Sequence, residues 1–196
     1  MLDPAQEKRR LRALAKASRG AIDPVQRAVA ADALRDRLLA DAPWRPGAVV
    51  AGYWPMGAEM DVRPLLGALA GAGWRCALPV VTARDKPLEF RTWSPGDRLV
   101  PGGFGTSVPS LDRPSAAPSL LLVPLLAFDA RGFRLGHGGG YYDRTIAAMR
   151  ADGDAVLAIG IAYAQQEMEA VPVEEFDQRL DGVATEHGYR GFGGSP

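Results

Sequence analysis

With 196 residues, 47% of them apolar and 23% charged, the chain is long enough for one domain with a sizeable core and a ligand cleft, and its composition excludes a disordered or fibrous protein. Its 23 basic and 23 acidic side chains cancel, and no long basic run follows residue 20; this argues against a nucleic-acid partner but not against a single nucleotide. No apolar stretch approaches the ~20 residues of a membrane helix, so no membrane partner is expected.

Residues 4–18 read as a helix, with Pro4 in the first turn and Gly20 as a stop. Its charged start is followed by no apolar signal core. Asp23 caps a second helix, in which Val25, Val29, Ala33, Leu34 and Leu38 recur at helical spacing until Pro43. These helices, residues 1–42, are expected to pack on a sheet. Residues 48–53 form an apolar, β-branched run, 62–70 a helix ending at Gly71, and 75–81 and 88–93 two strands. Cys76, the single cysteine, excludes an intrachain disulfide and reads as a small core residue, so a reduced, cytoplasmic setting is expected.

Residues 94–118, rich in Gly, Pro and Ser, read as a long loop or lid. The continuous apolar run 120–126 predicts a strand buried on both faces, 141–149 a helix, and 155–161 another buried strand. Strands alternating with helices define an α/β protein: a single domain over 1–196 around a mostly parallel, doubly wound sheet flanked by helices. Ligands of such sheets bind at the carboxyl ends of the strands.

One loop falls there. Gly136, Gly138, Gly139 and Gly140 lie between a buried strand and a helix, where backbone free of Cβ atoms can turn successive N–H groups toward one point. The helix starting near Tyr141 adds unpaired N–H groups and its positive dipole end, which together suit phosphates. A tight packing turn is the alternative. There is no G-K-[ST] of a Walker A loop, no G-x-G-x-x-G and no G-x-S-x-G elbow. Asp143 in the first turn is a candidate for Mg²⁺ beside phosphates, and His137 a candidate phosphate contact. Lys8 and Arg12, four apart, share one face of the first helix and could reach a nucleotide held in the glycine loop.

Four stretches, in order and spanning nearly the whole chain, resemble the 5-formyltetrahydrofolate cyclo-ligase (5,10-methenyltetrahydrofolate synthetase) family. They are KRRLR at 8–12, YWPMGAEMD at 53–61, PLLAFDARGFRLGHGGGYYD at 124–143, and Gln166 with PVEEFDQRLD at 172–181 and Thr185-Glu186. The resemblance implies a fold similar to the sugar-phosphate isomerase/CoA-transferase-like sandwich and an enzyme that uses MgATP to close 5-formyltetrahydrofolate into 5,10-methenyltetrahydrofolate. It further implies that Lys8, Arg9, Arg10, Leu11 and Arg12, with Arg134, Leu135, Gly136, His137, Gly138, Gly139, Gly140, Tyr141 and Tyr142, surround ATP. Trp54 and Glu59, with loop residues His137 to Tyr141, would contact the folate; Asp143 and Asp181 would hold Mg²⁺. Some members carry Arg at the position of His137 and Lys at that of Gly139, so phosphate neutralisation here falls more on Mg²⁺, Lys8 and Arg134.

The chemistry suits these parts, because phosphorylation turns the formyl oxygen into a leaving group and the protein has mainly to position and neutralise. No residue is assigned to the chemical step, for which Arg134 and His137 are the candidates. The partners expected are the two small molecules, with the chain a monomer. A small-metabolite kinase and a catalytically silent folate- or nucleotide-binding relative are the alternatives.

Overall fold

The computed structural model describes residues 4–41, 47–153 and 155–193. Helix α1 (Pro4–Gly20) is followed by α2 (Pro24–Asp41), whose first turn is capped by Asp23: its Oδ1 accepts the Val25 N–H at 2.8 Å. Pro43, the expected stop, lies outside the described residues. Next come β1 (Val49–Ala51), α3 (Arg63–Gly71), β2 (Arg75–Val80) and β3 (Glu89–Trp93). The chain continues through β4 (Leu99–Pro101), β5 (Ser107–Pro109), β6 (Leu120–Pro124), β7 (Ala127–Phe128) and β8 (Arg134–Leu135), and then α4 (Tyr141–Ala151), β9 (Leu157–Ile161), β10 (Gly182–Thr185) and β11 (Gly188–Gly191).

Seven strands make one sheet in the order β11-β10-β9-β6-β1-β2-β3, its five inner strands parallel and the two edges antiparallel. Alternation along each strand divides the core. Val50, Cys76, Leu120, Leu122 and Ile159 face α2 (Leu34, Leu38) and α3 (Leu65, Leu66, Leu69), while Val49, Ala51, Ala77, Leu121 and Val123 face Ile146 of α4. Helices therefore cover both faces, as the near-continuous apolar strands require. Burial pushes the Cys76 thiol up to about 11, which fits its core position. Helix α1 instead lays Leu11 and Ala15 on Ala127, Leu135 and Val171, beside the β7–β8 ribbon.

Two departures from the sequence reading matter for the site. Residues 94–118 are not structureless: β4 and β5 pair antiparallel, Val100 opposite Val108, around a short 3-10 turn at Gly103–Gly105. Strands of three residues among glycines and prolines carry too little period to be seen in sequence. The C-terminal strands β10 and β11, four residues each and bounded by glycine, likewise carry too little period to be read from sequence.

The topology fixes where a ligand goes. From β1 the chain crosses through α3 to β2 on one side; from β6 it crosses through α4 to β9 on the other. The direction reverses between the neighbours β1 and β6, and a crevice opens at their carboxyl ends.

Candidate active site

The connection after β6 and the β7–β8 ribbon is the glycine loop. Gly138 (φ 100°) and Gly140 (φ 64°) adopt conformations that side chains oppose. Gly140 is the N-cap of α4 and offers no side-chain oxygen, so the first-turn N–H groups of Tyr141, Tyr142 and Asp143 stay available to an anion. The loop is braced from α1, where Arg12 Nε donates to the Gly136 carbonyl at 3.0 Å. A Cβ at Gly138 would stand 3.4 Å from the Arg12 guanidinium carbon.

Charges around this loop are paired with one another. Lys8, 4% exposed, donates to Glu174 Oε2 at 2.6 Å and Asp177 Oδ2 at 2.5 Å. Burial alone would lower its pKa, but the hydrogen bonds to Asp177 and Glu174 outweigh it and hold the ammonium above its ordinary value. Arg134, equally buried, donates to Asp143 Oδ1 at 2.8 Å and to the Gln178 carbonyl at 2.8 Å. Both hydrogen bonds to Asp143 among the described residues, from Arg134 and from the Gln178 N–H at 3.0 Å, arrive at Oδ1. The carboxylate is about a quarter exposed toward the cavity.

The connection after β1 forms the facing wall. Trp54 sits edge-on to Trp93, centroids 6.1 Å apart, with the Arg63 guanidinium 5.3 Å over its ring. Glu59 is 5% exposed. Its Oε2 accepts the Met56 N–H at 2.8 Å, and its Oε1 lies 2.9 Å from His137 Nε2. That contact joins the two connections across the crevice. Between them is a cavity of about 540 Å³, lined by every residue from Arg134 to Asp143 and by Lys8, Arg12, Trp54 and Glu59. The Tyr142 hydroxyl, on the cavity wall, is buried without a partner among the described residues, and burial raises its pKa.

Not every residue singled out in the sequence is brought here. Arg9 and Arg10 are exposed, and Arg10 pairs with Glu7 one turn back. Leu11 is packing for the ribbon. Asp181 is placed elsewhere: it accepts the Ala158 N–H at 2.7 Å and pairs with Arg150 at 3.1 Å. Both partners belong to the amino-terminal end of β9 and the last turn of α4. Asp143 is in the first turn of that helix, seven residues from Arg150, or roughly 10 Å along the axis. Asp177, four residues before Asp181, is the acid that lines the cavity.

Glu174, Asp177 and the hairpin residues Phe104, Thr106, Ser107 and Val108 complete the wall and were not assigned from sequence. Nor was Arg19, whose spacing of seven from Arg12 does place it on the Lys8–Arg12 face. Among the described residues no cluster of three His, Cys, Asp or Glu is arranged to hold a metal alone. One or two carboxylates, Asp143 and Asp177, fit instead a cation delivered with phosphates, since magnesium keeps water and phosphate oxygens in most of its shell.

Comparison with known proteins gives a consistent result. The model of the 5-formyltetrahydrofolate cyclo-ligase family matches residues 4–186. The 5-formyltetrahydrofolate cyclo-ligase of Escherichia coli K12 is 33% identical over 172 residues, 85% of this chain and 93% of that protein. That of Haemophilus influenzae is 32% identical, covering 67% and 72%. The solution structure of Aquifex aeolicus 5,10-methenyltetrahydrofolate synthetase superposes with a TM-score of 0.80 at 26% identity, covering 96% of this chain and 94% of that one. The Mycoplasma pneumoniae 5,10-methenyltetrahydrofolate synthetase shares the fold, with a TM-score of 0.71 at 22% identity over 91% and 98% of the two chains.

Proposed function

The chain belongs to the 5-formyltetrahydrofolate cyclo-ligase family and is an enzyme of it, and from that premise we propose that it converts 5-formyltetrahydrofolate and MgATP into 5,10-methenyltetrahydrofolate, ADP and phosphate in the crevice between β1 and β6. The observation that carries this reading is the Glu59–His137 contact at 2.9 Å, which sets an aromatic, acidic wall against an anion-binding loop in one cavity. One side suits a pterin and the other a polyphosphate.

In this reading the nucleotide phosphates lie along the N–H groups of the glycine loop and the start of α4, flanked by Lys8, Arg12 and Arg134. Asp143, with Asp177 in place of Asp181, holds the Mg²⁺, which supplies charge neutralisation and orientation for the phosphates. Lys8 must give up part of its double carboxylate pairing to meet the nucleotide, and that exchange frees Asp177. Trp54 supplies a flat apolar surface for the folate ring system, and Glu59 accepts from its polar edge. The Leu99–Pro109 segment, through Phe104 and Val108, covers the cavity.

The chemistry then needs few groups. The formyl oxygen attacks the γ-phosphorus as the bond to ADP breaks. N10 next attacks the activated carbon, closes the ring and expels phosphate with the former formyl oxygen. His137, placed between Glu59 and the phosphate loop, is the group positioned to take the proton that N10 loses. Positioning and electrostatics carry the rate.

The test is direct. Purified protein, 5-formyltetrahydrofolate and MgATP should give an ATP-dependent rise in the near-ultraviolet absorbance of the conjugated methenyl product. Folate binding without that rise would mark a silent binding protein. A phosphorylated small-molecule product with no folate binding would make the chain a kinase on the same fold.

A further inference from the structure

Glu59 is almost wholly buried, and a buried carboxylate without a counter-charge is costly. Among the described residues its ion pairs come from two side chains: His137, at 2.9 Å, and Arg19 NH1, at 3.8 Å from the same Oε1. They are unlike in kind. His137 carries charge only when protonated, is 41% exposed and rides on a glycine loop. Arg19 is permanently charged, 5% exposed, and anchored by donation of NH1 to the Leu125 carbonyl at 3.1 Å.

No other neighbour takes over that duty. The Tyr53 hydroxyl donates to the Met60 carbonyl at 2.7 Å rather than to the carboxylate. Tyr163 donates to the Glu59 backbone oxygen at 3.4 Å, and the Tyr142 hydroxyl has no partner among the described residues. Arg19 itself is incompletely satisfied, because its Nε is buried without a partner among the described residues. Burying an arginine short of a hydrogen bond is costly.

We infer that Arg19 is the positioning residue for Glu59, holding its carboxylate at the folate end of the cavity whether or not His137 stays with it. This rests on the folate reading of the Trp54–Glu59 wall. Arg19 does not line the cavity and touches neither substrate; it acts through Glu59. One face of α1 therefore serves both halves of the site, with Lys8 and Arg12 at the phosphate end and Arg19 at the other.

The experiment compares wild type, Arg19→Gln, Arg19→Lys, Glu59→Gln and the Arg19→Gln/Glu59→Gln double variant. Arg19→Gln should raise KM for 5-formyltetrahydrofolate roughly 10–100-fold, the scale of one charge-assisted contact, with KM for ATP and kcat within about threefold. Arg19→Lys should restore part of the loss. In the Glu59→Gln background the Arg19 change should add less than about twofold, since nothing remains to position. Equal cost in both backgrounds, or equal loss for both substrates, overturns the inference.

A second arm needs no turnover. The chain has two histidines, so the His137 side-chain resonances can be assigned with a His137→Gln control. Arg19→Gln should move the His137 signals through the shared carboxylate and leave those of His187 in place; unmoved His137 signals overturn the inference. Should Arg19→Gln not fold, Arg19→Lys carries the same comparison. A wild type that is folded but makes no product would sink the proposed function, while the resonance shifts would still decide the role of Arg19.

Discussion

The two connections that flank the β1–β6 crevice use their residues in opposite ways. After β6 the chain spends glycine: Gly138 and Gly140 sit at positive φ, and the loop brings a helix start to the cavity alongside the side chains of His137 and Asp143. After β1 it spends side chains: Trp54 is wedged against Trp93 and Glu59 is buried with both oxygens engaged. A polyphosphate varies little in shape and is recognised by any well-aimed set of donors, so backbone suffices. A flat heterocycle must be told from other flat molecules, which requires a fixed ring and a fixed charge. The difference predicts that the first wall governs turnover and nucleotide affinity, and the second governs folate affinity.

The largest expected effect tests the phosphate side. Asp143→Asn keeps an acceptor for Arg134 and Gln178 but removes the charge, so folding should persist while kcat falls about 10²–10³-fold with folate binding little changed. Asp181→Asn, at the far end of α4, should instead leave kcat within about twofold and cost about 1 kcal/mol of stability through its bonds to Ala158 and Arg150. Comparable turnover losses at both positions would mean that Asp181 reaches the metal after all and that the two ends of α4 are not chemically distinct.

Trp54→Ala attacks the other wall. Loss of the ring should weaken 5-formyltetrahydrofolate binding roughly 10–100-fold with ATP binding nearly intact, measured by calorimetry on each ligand separately. Gly138→Ala should do the reverse and more mildly. A side chain at φ 100° is strained and approaches Arg12, so KM for ATP should rise about tenfold with little change for folate. If either substitution weakened both ligands equally, the two walls would not be separate recognition units.

How far the sequence reveals this site follows from periodicity. The Lys8–Arg12 face and the glycine loop announce themselves by spacing and composition, and both line the cavity. The choice between Asp177 and Asp181 does not. Residues 172–181 form no helix or strand, so no period says which acid faces inward. The structure adds only their positions: the pairing of β10 with β9 carries Asp181 to the amino-terminal edge of the sheet, while Asp177 lines the cavity. The hairpin contribution of Phe104 to Val108 is hidden for a similar reason, because three-residue strands acquire their register only from their partner. Arg19 was within reach of a helical-face argument carried two more turns. Its partner Glu59 lies 40 residues away, beyond anything spacing can show.

The smallest effect concerns Lys8, which is the point where the two functions of the phosphate side compete. In the free protein its ammonium is held by Glu174 and Asp177, and these bonds raise its pKa despite burial. A raised lysine contributes stability that is fully present below the unfolded value near 10.4 and is lost as pH rises through the folded value. The difference in thermal stability between wild type and Lys8→Met should therefore be constant from about pH 6 to 9, at roughly 1–2 kcal/mol, and shrink toward zero above about pH 10.5. A difference that persisted unchanged above about pH 11 would show that the Lys8 ammonium does not carry this stability. The same pairing has a cost for binding, because a nucleotide must compete with two carboxylates for one ammonium. Glu174→Gln, which removes one competitor and leaves Asp177, should accordingly lower KM for ATP by about two- to threefold while reducing stability slightly. An unchanged or raised KM would show that Glu174 takes no part in holding Lys8 back from the nucleotide.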